Sequence, residues 1–272
     1  MKAPLRIAFC LSAILAFVLF NSCEHDSTPA PTVVKQWSNL VLKANMETPA
    51  PVGRNEEGEA NVQLLSDNSL KYDFHIHNLS PSDNLTAAHI HVGDAVTAGP
   101  VFINLNPSFS GPGASGTVLN LRQGQVDSLL NMPVYINVHS TQAPGGIVRS
   151  QMDKNINFAM DIPLLGTNEV PAVTTTCSGM ALLRLSGDTL FSMVSFTGME
   201  VGDTMTVSHI HRGAVGVNGP VRIFLANTNA DFGVPRKTFL VDSLKTIVLS
   251  DPSYVNAHSK TKPGGKIRGP IR

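Results

Sequence analysis

The sequence predicts an all-β protein: two tandem antiparallel β-sandwich or barrel domains, Greek-key-like. Three observations predict it. Apolar and polar residues alternate with period two in short runs. Turn-forming Gly, Pro, Asn and Asp residues recur about every ten positions, the spacing of sandwiches and barrels. One constellation of motifs occurs twice: Ala88-His89-Ile90-His91 with Gly99-Pro100 returns as Ser208-His209-Ile210-His211 with Gly219-Pro220, each offset by 120 (209 − 89 and 219 − 99). Tyr135-Ile-Asn-Val-His139 with Pro144-Gly-Gly-Ile-Val-Arg149 returns as Tyr254-Val-Asn-Ala-His258 with Pro263-Gly-Gly-Lys-Ile-Arg268, offset by 119 (258 − 139).

The chain has 272 residues, 42% hydrophobic and 15% charged, so it can bury a core and is not disordered by composition. Lys+Arg and Asp+Glu are both 20. A chain without net positive charge lacks the basic face that nucleic-acid binding needs, which excludes that class of partner.

From the N-terminus, Lys2 and Arg6 precede an apolar run from Ile7 to Phe20, too short for a comfortable membrane span. Ser22-Cys23 follows, a small residue before a cysteine. This resembles the lipobox of bacterial lipoproteins, in which the cysteine becomes the lipidated first residue. The expectation is a signal peptide over 1–22, a lipid anchor at Cys23 with a polar tether over 23–37, and a bacterial cell-envelope location. The expected place is the outer membrane, with the folded part periplasmic or surface-exposed. Of the other cysteines, Cys10 falls in the signal and Cys177 stays single, so the mature chain has no internal disulfide. The copy-one counterpart of Cys177 lies in Asn55-Glu-Glu-Gly58, which has no cysteine, so a nucleophilic role is not expected.

The first domain is expected over 38–152 and the second over 156–272. Glu47 matches Glu169, Gly58 matches Gly179 and Leu70 matches Leu190, at offsets of 122, 121 and 120 (169 − 47, 179 − 58, 190 − 70). Single-residue drift between matched segments is what loop deletions leave behind when the elements are kept. Leu70, Tyr72, Phe74 and Ile76 alternate with Lys71, Asp73, His75 and His77, which marks a strand with one buried face. His75 and His77 therefore read as solvent-facing; Ser195 and Thr197 replace them in the second copy. Ala60–Leu64, Val101–Leu105, Tyr135–Val138 and Val221–Leu225 are further short strands, and Arg122–Asn131 and Phe239–Leu249 each fit a short helical turn.

The histidines carry the chemistry. Two histidines two residues apart on a strand share a face. His89 and His91 with His139, and His209 and His211 with His258, are workable imidazole sites for Zn or Cu. The competing reading is that these rings hydrogen-bond backbone carbonyls and hold two loops together. Gly145-Gly146 and Gly264-Gly265 form turns that use positive φ. Arg149 and Arg268, just beyond, are expected to pair with Glu47 and Glu169 and latch the first strand to the last. No Gly-x-Ser-x-Gly, phosphate loop or other nucleophile set is present, so no catalytic residue is assigned.

Together these motifs resemble the CHRD domain, named for chordin. The second copy resembles it more fully, from Leu165-Gly-Thr-Asn-Glu-Val-Pro171 to Pro263-Gly-Gly-Lys-Ile-Arg268; the first opens differently, with Met46-Glu47-Thr-Pro49. The resemblance covers nearly all of the chain beyond the signal. It implies an all-β extracytoplasmic module, and no particular activity follows from the fold. The sequence-level reading is a non-enzymatic, lipid-anchored envelope protein with two CHRD modules that bind a protein or matrix partner. The alternative is a Zn or Cu protein, including a superoxide-dismutase-like redox enzyme, that uses the histidine trios.

Overall fold

The computed structural model of the protein describes residues 29–272, and each copy of the repeat forms one eight-stranded antiparallel sheet. The signal peptide and Cys23 lie outside the described residues. Domain one runs β1 (Val33–Lys43), β2 (Glu57–Leu65), β3 (Leu70–His77), β4 (Leu85–Val92), β5 (Val101–Asn104), β6 (Gly113–Val118), α1 (Gln123–Asn131), β7 (Val134–Ser140) and β8 (Val148–Gln151). Domain two repeats it with β9 (Phe158–Leu165), β10 (Ser178–Ser186), β11 (Thr189–Thr197), β12 (Met205–Arg212), β13 (Val221–Ala226), β14 (Arg236–Phe239), α2 (Asp242–Leu249), β15 (Ser253–Ser259) and β16 (Ile267–Pro270).

The strand orders are β5-β4-β7-β8-β1-β2-β3-β6 and β13-β12-β15-β16-β9-β10-β11-β14, the same topology twice. In the second sheet β11 comes against β13, which brings that sheet close to a closed barrel. Alternation sets the faces. In β3, Leu70, Tyr72, Phe74 and Ile76 are buried while Lys71, Asp73, His75 and His77 are exposed, as the period-two reading requires. Ile90 of β4 and Ile136 and Val138 of β7 join the same core. A side chain of this kind gains about 1.5–3 kcal/mol on full burial. His89, His91, Tyr135, Asn137 and His139 alternate with them and fall on the opposite face of the sheet.

Two expectations change. Residues 33–37, expected to be part of a tether over 23–37, are strand: β1 begins at Val33, and its backbone pairs Val33 with Leu65 and Lys35 with Leu64. The polar sequence there hid an edge whose ladder is made by backbone rather than by apolar side chains. The two helices are also longer than single turns, at nine and eight residues.

The outer faces of the two sheets differ for a visible reason. In domain one, β2 and β3 show water Glu59, Lys71, Asp73 and His75. The corresponding face of domain two carries Leu182 and Phe191, both buried with Ala95 and Val96 of domain one in a separate apolar cluster. Arg184 lies at this junction with no exposure. Its guanidinium donates to Met160 O at 3.0 Å and Glu47 O at 2.7 Å and pairs with Asp161 at 2.7 Å. The Ala50 amide of domain one donates to the same Asp161 at 2.8 Å. Among the described residues no helix is long and apolar enough to cross a membrane.

Candidate metal centre

In each domain three adjacent strands supply the site. In domain one β4 pairs with β7, with His91 opposite Tyr135, His89 opposite Asn137 and Ala87 opposite His139. Next to them β7 pairs with β8, which sets Asn137 opposite Arg149. Domain two repeats the register: His211 faces Tyr254, His209 faces Asn256, and Asn256 faces Arg268. These pairings bring His139 diagonally against His89 although they are 50 residues apart in sequence.

The trios converge. His89, His91 and His139 each offer a ring nitrogen within 4.8 Å of the others, and so do His209, His211 and His258. Two ligands about 2.0–2.1 Å from one zinc ion lie at most roughly 4 Å apart, so small side-chain rotations complete the set. The carbonyl-bonding reading also holds, but for one nitrogen of each ring. His91 Nδ1 donates to Gly99 O at 2.8 Å and His139 Nδ1 to Pro144 O at 2.9 Å. His211 Nδ1 donates to Gly219 O and His258 Nδ1 to Pro263 O, both at 2.9 Å. A carbonyl only accepts, so each of these rings carries its proton on Nδ1 and turns the Nε2 lone pair inward. This is the usual outer support of a metal-bound imidazole: a second hydrogen bond fixes tautomer and ring orientation. The Nε2 atoms of His91, His211 and His258, and Nδ1 of His209, are buried with no hydrogen-bond partner among the described residues.

Burial, then the neighbouring His139 and His91, push the His89 imidazole down to about 4. Burial, then His258 and His211, do the same to His209, also to about 4. Burial lowers the other four rings as well. Neutral imidazoles with inward lone pairs are the form that binds a cation.

The rest of each motif supports these rings. His91 stacks on Tyr135, centroids 4.8 Å apart at 9°, and the Arg149 guanidinium carbon lies over the Tyr135 ring, 3.4 Å from its centroid. His211, Tyr254 and Arg268 repeat the arrangement at 4.8 Å and 3.3 Å. The Gly99 amide donates to the Tyr135 hydroxyl at 3.0 Å, which fixes the carbonyl that orients His91. At Gly99 an added Cβ would lie 1.5 Å from Val92 O, so only glycine lets the loop close this tightly on the strand end.

Two latch expectations are corrected. Arg149 makes no ion pair with Glu47, nor Arg268 with Glu169, among the described residues. Arg149 instead donates to Thr48 Oγ1, Thr97 O, Asp94 O and Gln151 Oε1. Arg268 donates to Asn218 Oδ1, Ala214 O and Val217 O. Each arginine thus ties down the loop that follows the His-x-His strand. The glutamates take the asparagines: Asn137 donates to Glu47 at 2.7 Å and Asn256 to Glu169 at 3.0 Å. Of the paired glycines, only Gly146 and Gly265 have positive φ, at 134° and 142°. Gly145 and Gly264 meet nothing within 4 Å and need no special backbone.

Tyr135, Asn137, Gly99 and their equivalents support the site in ways that residue type alone does not signal. The signal was their recurrence in both copies. Cys177 is buried and free, and burial raises its thiol, which fits no nucleophile. The family model for the CHRD domain matches the chain twice, over residues 39–152 and 160–271. Neither the curated proteins nor the solved structures give a significant match.

Proposed function

Because the chain belongs to the CHRD-domain family, we propose that it works by binding rather than catalysis, and that each module holds one Zn or Cu ion on its histidine trio. The observation that carries this is the convergence of three imidazole nitrogens within 4.8 Å in both domains. The outer hydrogen bonds support it, because they involve the repeated Gly-Pro and Pro-Gly-Gly motifs whose link to the histidines spacing alone left unexplained. Ser22-Cys23 behind the apolar run supports a lipid anchor and a cell-envelope location. No fourth His, Cys, Asp or Glu joins either group among the described residues, so a bound ion keeps an open position.

A protein or matrix partner is the second reading. The loop at Ala95 and Val96 is buried against domain two, while its domain-two counterpart leaves Val215 and Val217 exposed at 72% and 53%. That loop offers an apolar contact that no other described residue covers.

The experiment is metal analysis of the purified full chain after equilibration with zinc or copper and removal of free ion. Two ions per chain are expected, falling to one in His91→Ala or His211→Ala. A wild-type chain that retains none overturns the metal reading and leaves partner binding as the function.

A further inference from the structure

We propose that the two histidine sites are graded: the domain-two trio is the tight site, loaded first, and the domain-one trio is the weaker, exchanging site. This rests on the metal reading above. Two differences between otherwise matching sites lead to it.

The first is how the site-facing nitrogens are partnered within the chain. In domain one His89 Nδ1 lies 3.0 Å from His139 Nε2. His139 carries its proton on Nδ1, toward Pro144 O. Its Nε2 therefore accepts, and His89 donates into the lone pair that an ion would need. Loading domain one must break this bond and move the His89 proton. In domain two the equivalent nitrogens, His209 Nδ1 and His258 Nε2, are both buried without a partner, as is His211 Nε2. No ring-to-ring hydrogen bond has to be broken there, and the desolvated Nε2 lone pairs of His211 and His258 gain a partner at once.

The second difference is the cover. His89 pairs across the β4–β5 ladder with Asn104, and His209 across the β12–β13 ladder with Phe224. Phe224 meets the His209 ring edge-on, centroids 4.6 Å apart at 90°. His209 is 7% exposed, whereas His89 is only partly buried. An apolar shell limits water access and lowers the local dielectric, which strengthens ligand–ion attraction and slows exchange. Phe224 is thus the affinity-determining residue beside the ligands, and Asn104 its polar counterpart.

A net hydrogen bond surrendered on binding lowers affinity by about five- to tenfold, and the cover adds to that. The test is calorimetric titration of the full chain with zinc sulfate at fixed pH. Two classes of site are expected, with dissociation constants about tenfold or more apart. His211→Asn should remove the tight class and His91→Asn the weak one. Phe224→Asn should narrow the gap severalfold while two ions still bind. The wild type and Phe224→Asn keep every ligand, so they decide the question even if a histidine variant unfolds. Two equal sites, or a tight class lost with His91, overturn the grading and leave metal binding standing. A titration with no binding overturns the metal reading, and the grading with it.

Discussion

His91 lies flat on Tyr135, with ring centroids 4.8 Å apart and planes within 9°. This contact joins the two stretches of sequence that recur together. The tyrosine opens one motif, the histidine closes the other, and Arg149 backs the pair from the third. A buried cation one ring behind the histidine also works against protonating it, which adds to the effect of burial on His91. The same three-layer stack in domain two indicates that the stack supports the trio rather than one accidental contact.

Tyr135→Leu should therefore loosen both the His91 ring and the Gly99 carbonyl. The expected loss is about 2–3 kcal/mol of stability, together with weaker metal binding in domain one. Tyr135→Phe keeps the stack and loses only the hydroxyl that accepts from the Gly99 amide, for about 1 kcal/mol. Urea unfolding of both variants checks this; equal losses would mean that the stack contributes nothing.

Much of this was legible in the sequence. Alternation placed β3, and the spacing of two put His89 and His91 on one face. The matched offsets showed a duplication. What could not be read were contacts made by backbone atoms. Gly99 O and Pro144 O leave no residue-type signal, and neither does the ladder that extends β1 back to Val33. The arginine–glutamate latch failed because charge suggests pairing, while the buried guanidinium donates to loop carbonyls and lies over a ring. The domain junction did leave a trace. Leu182 and Phe191 stand where domain one has Asn61 and Lys71, an apolar outer face that needs a cover.

Arg184 tests that junction. Arg184→Met removes a buried charge that holds Asp161 and Glu47 O, and leaves Asp161 without its cation. Breaking such a pair from one side costs about 3–5 kcal/mol. Calorimetric unfolding should show a lowered first transition and separation of the two domains. A single unshifted transition would mean that the junction does not couple them.

Burial pushes the Glu47 carboxyl up to about 8, against the opposing pull of Arg149 and Asn137, and burial pushes Glu169 up to about 7. Between the ordinary carboxylate value of 4.5 and about 8, the unfolded chain is ionised at this position while the folded one keeps its proton. The Glu47 contribution to stability is therefore fully present below that window, falls as pH rises through it, and is flat above. The stability difference between wild type and Glu47→Gln, measured from pH 4 to 9, should fall across the window. A pH-independent difference would place an ionised Glu47 in the fold. The histidines act in the opposite sense: lowered from 6.5 to about 4 at His89, they add a stability loss as pH falls through that range.

Anchoring is testable at Cys23, outside the described residues. The full chain expressed in a bacterial host should fractionate with membranes, and Cys23→Ala should release it or leave the signal uncut. Unchanged processing and location would rule the lipid anchor out.

The two glycines of the Pro-Gly-Gly turn give the sharpest contrast. At Gly146, φ is 134°, and an added Cβ would lie 2.5 Å from Asn137 Nδ2 and 2.7 Å from the Glu47 carboxyl. Neither neighbour can yield without breaking the hydrogen bond between them. Gly146→Ala should therefore combine backbone strain with loss of that buried pair, for about 2–4 kcal/mol. It should also shift Pro144 O, two residues back, and so free the His139 ring to turn its lone pair away from the trio. Gly145 has ordinary φ and open space, so Gly145→Ala should be neutral or stabilise by about 0.4–1 kcal/mol through the unfolded chain. Stability and zinc content of the two variants, measured side by side, separate a turn that merely reverses the chain from one that aims a ligand. Gly146→Ala with full zinc content in domain one would show that His139 keeps its orientation without the turn.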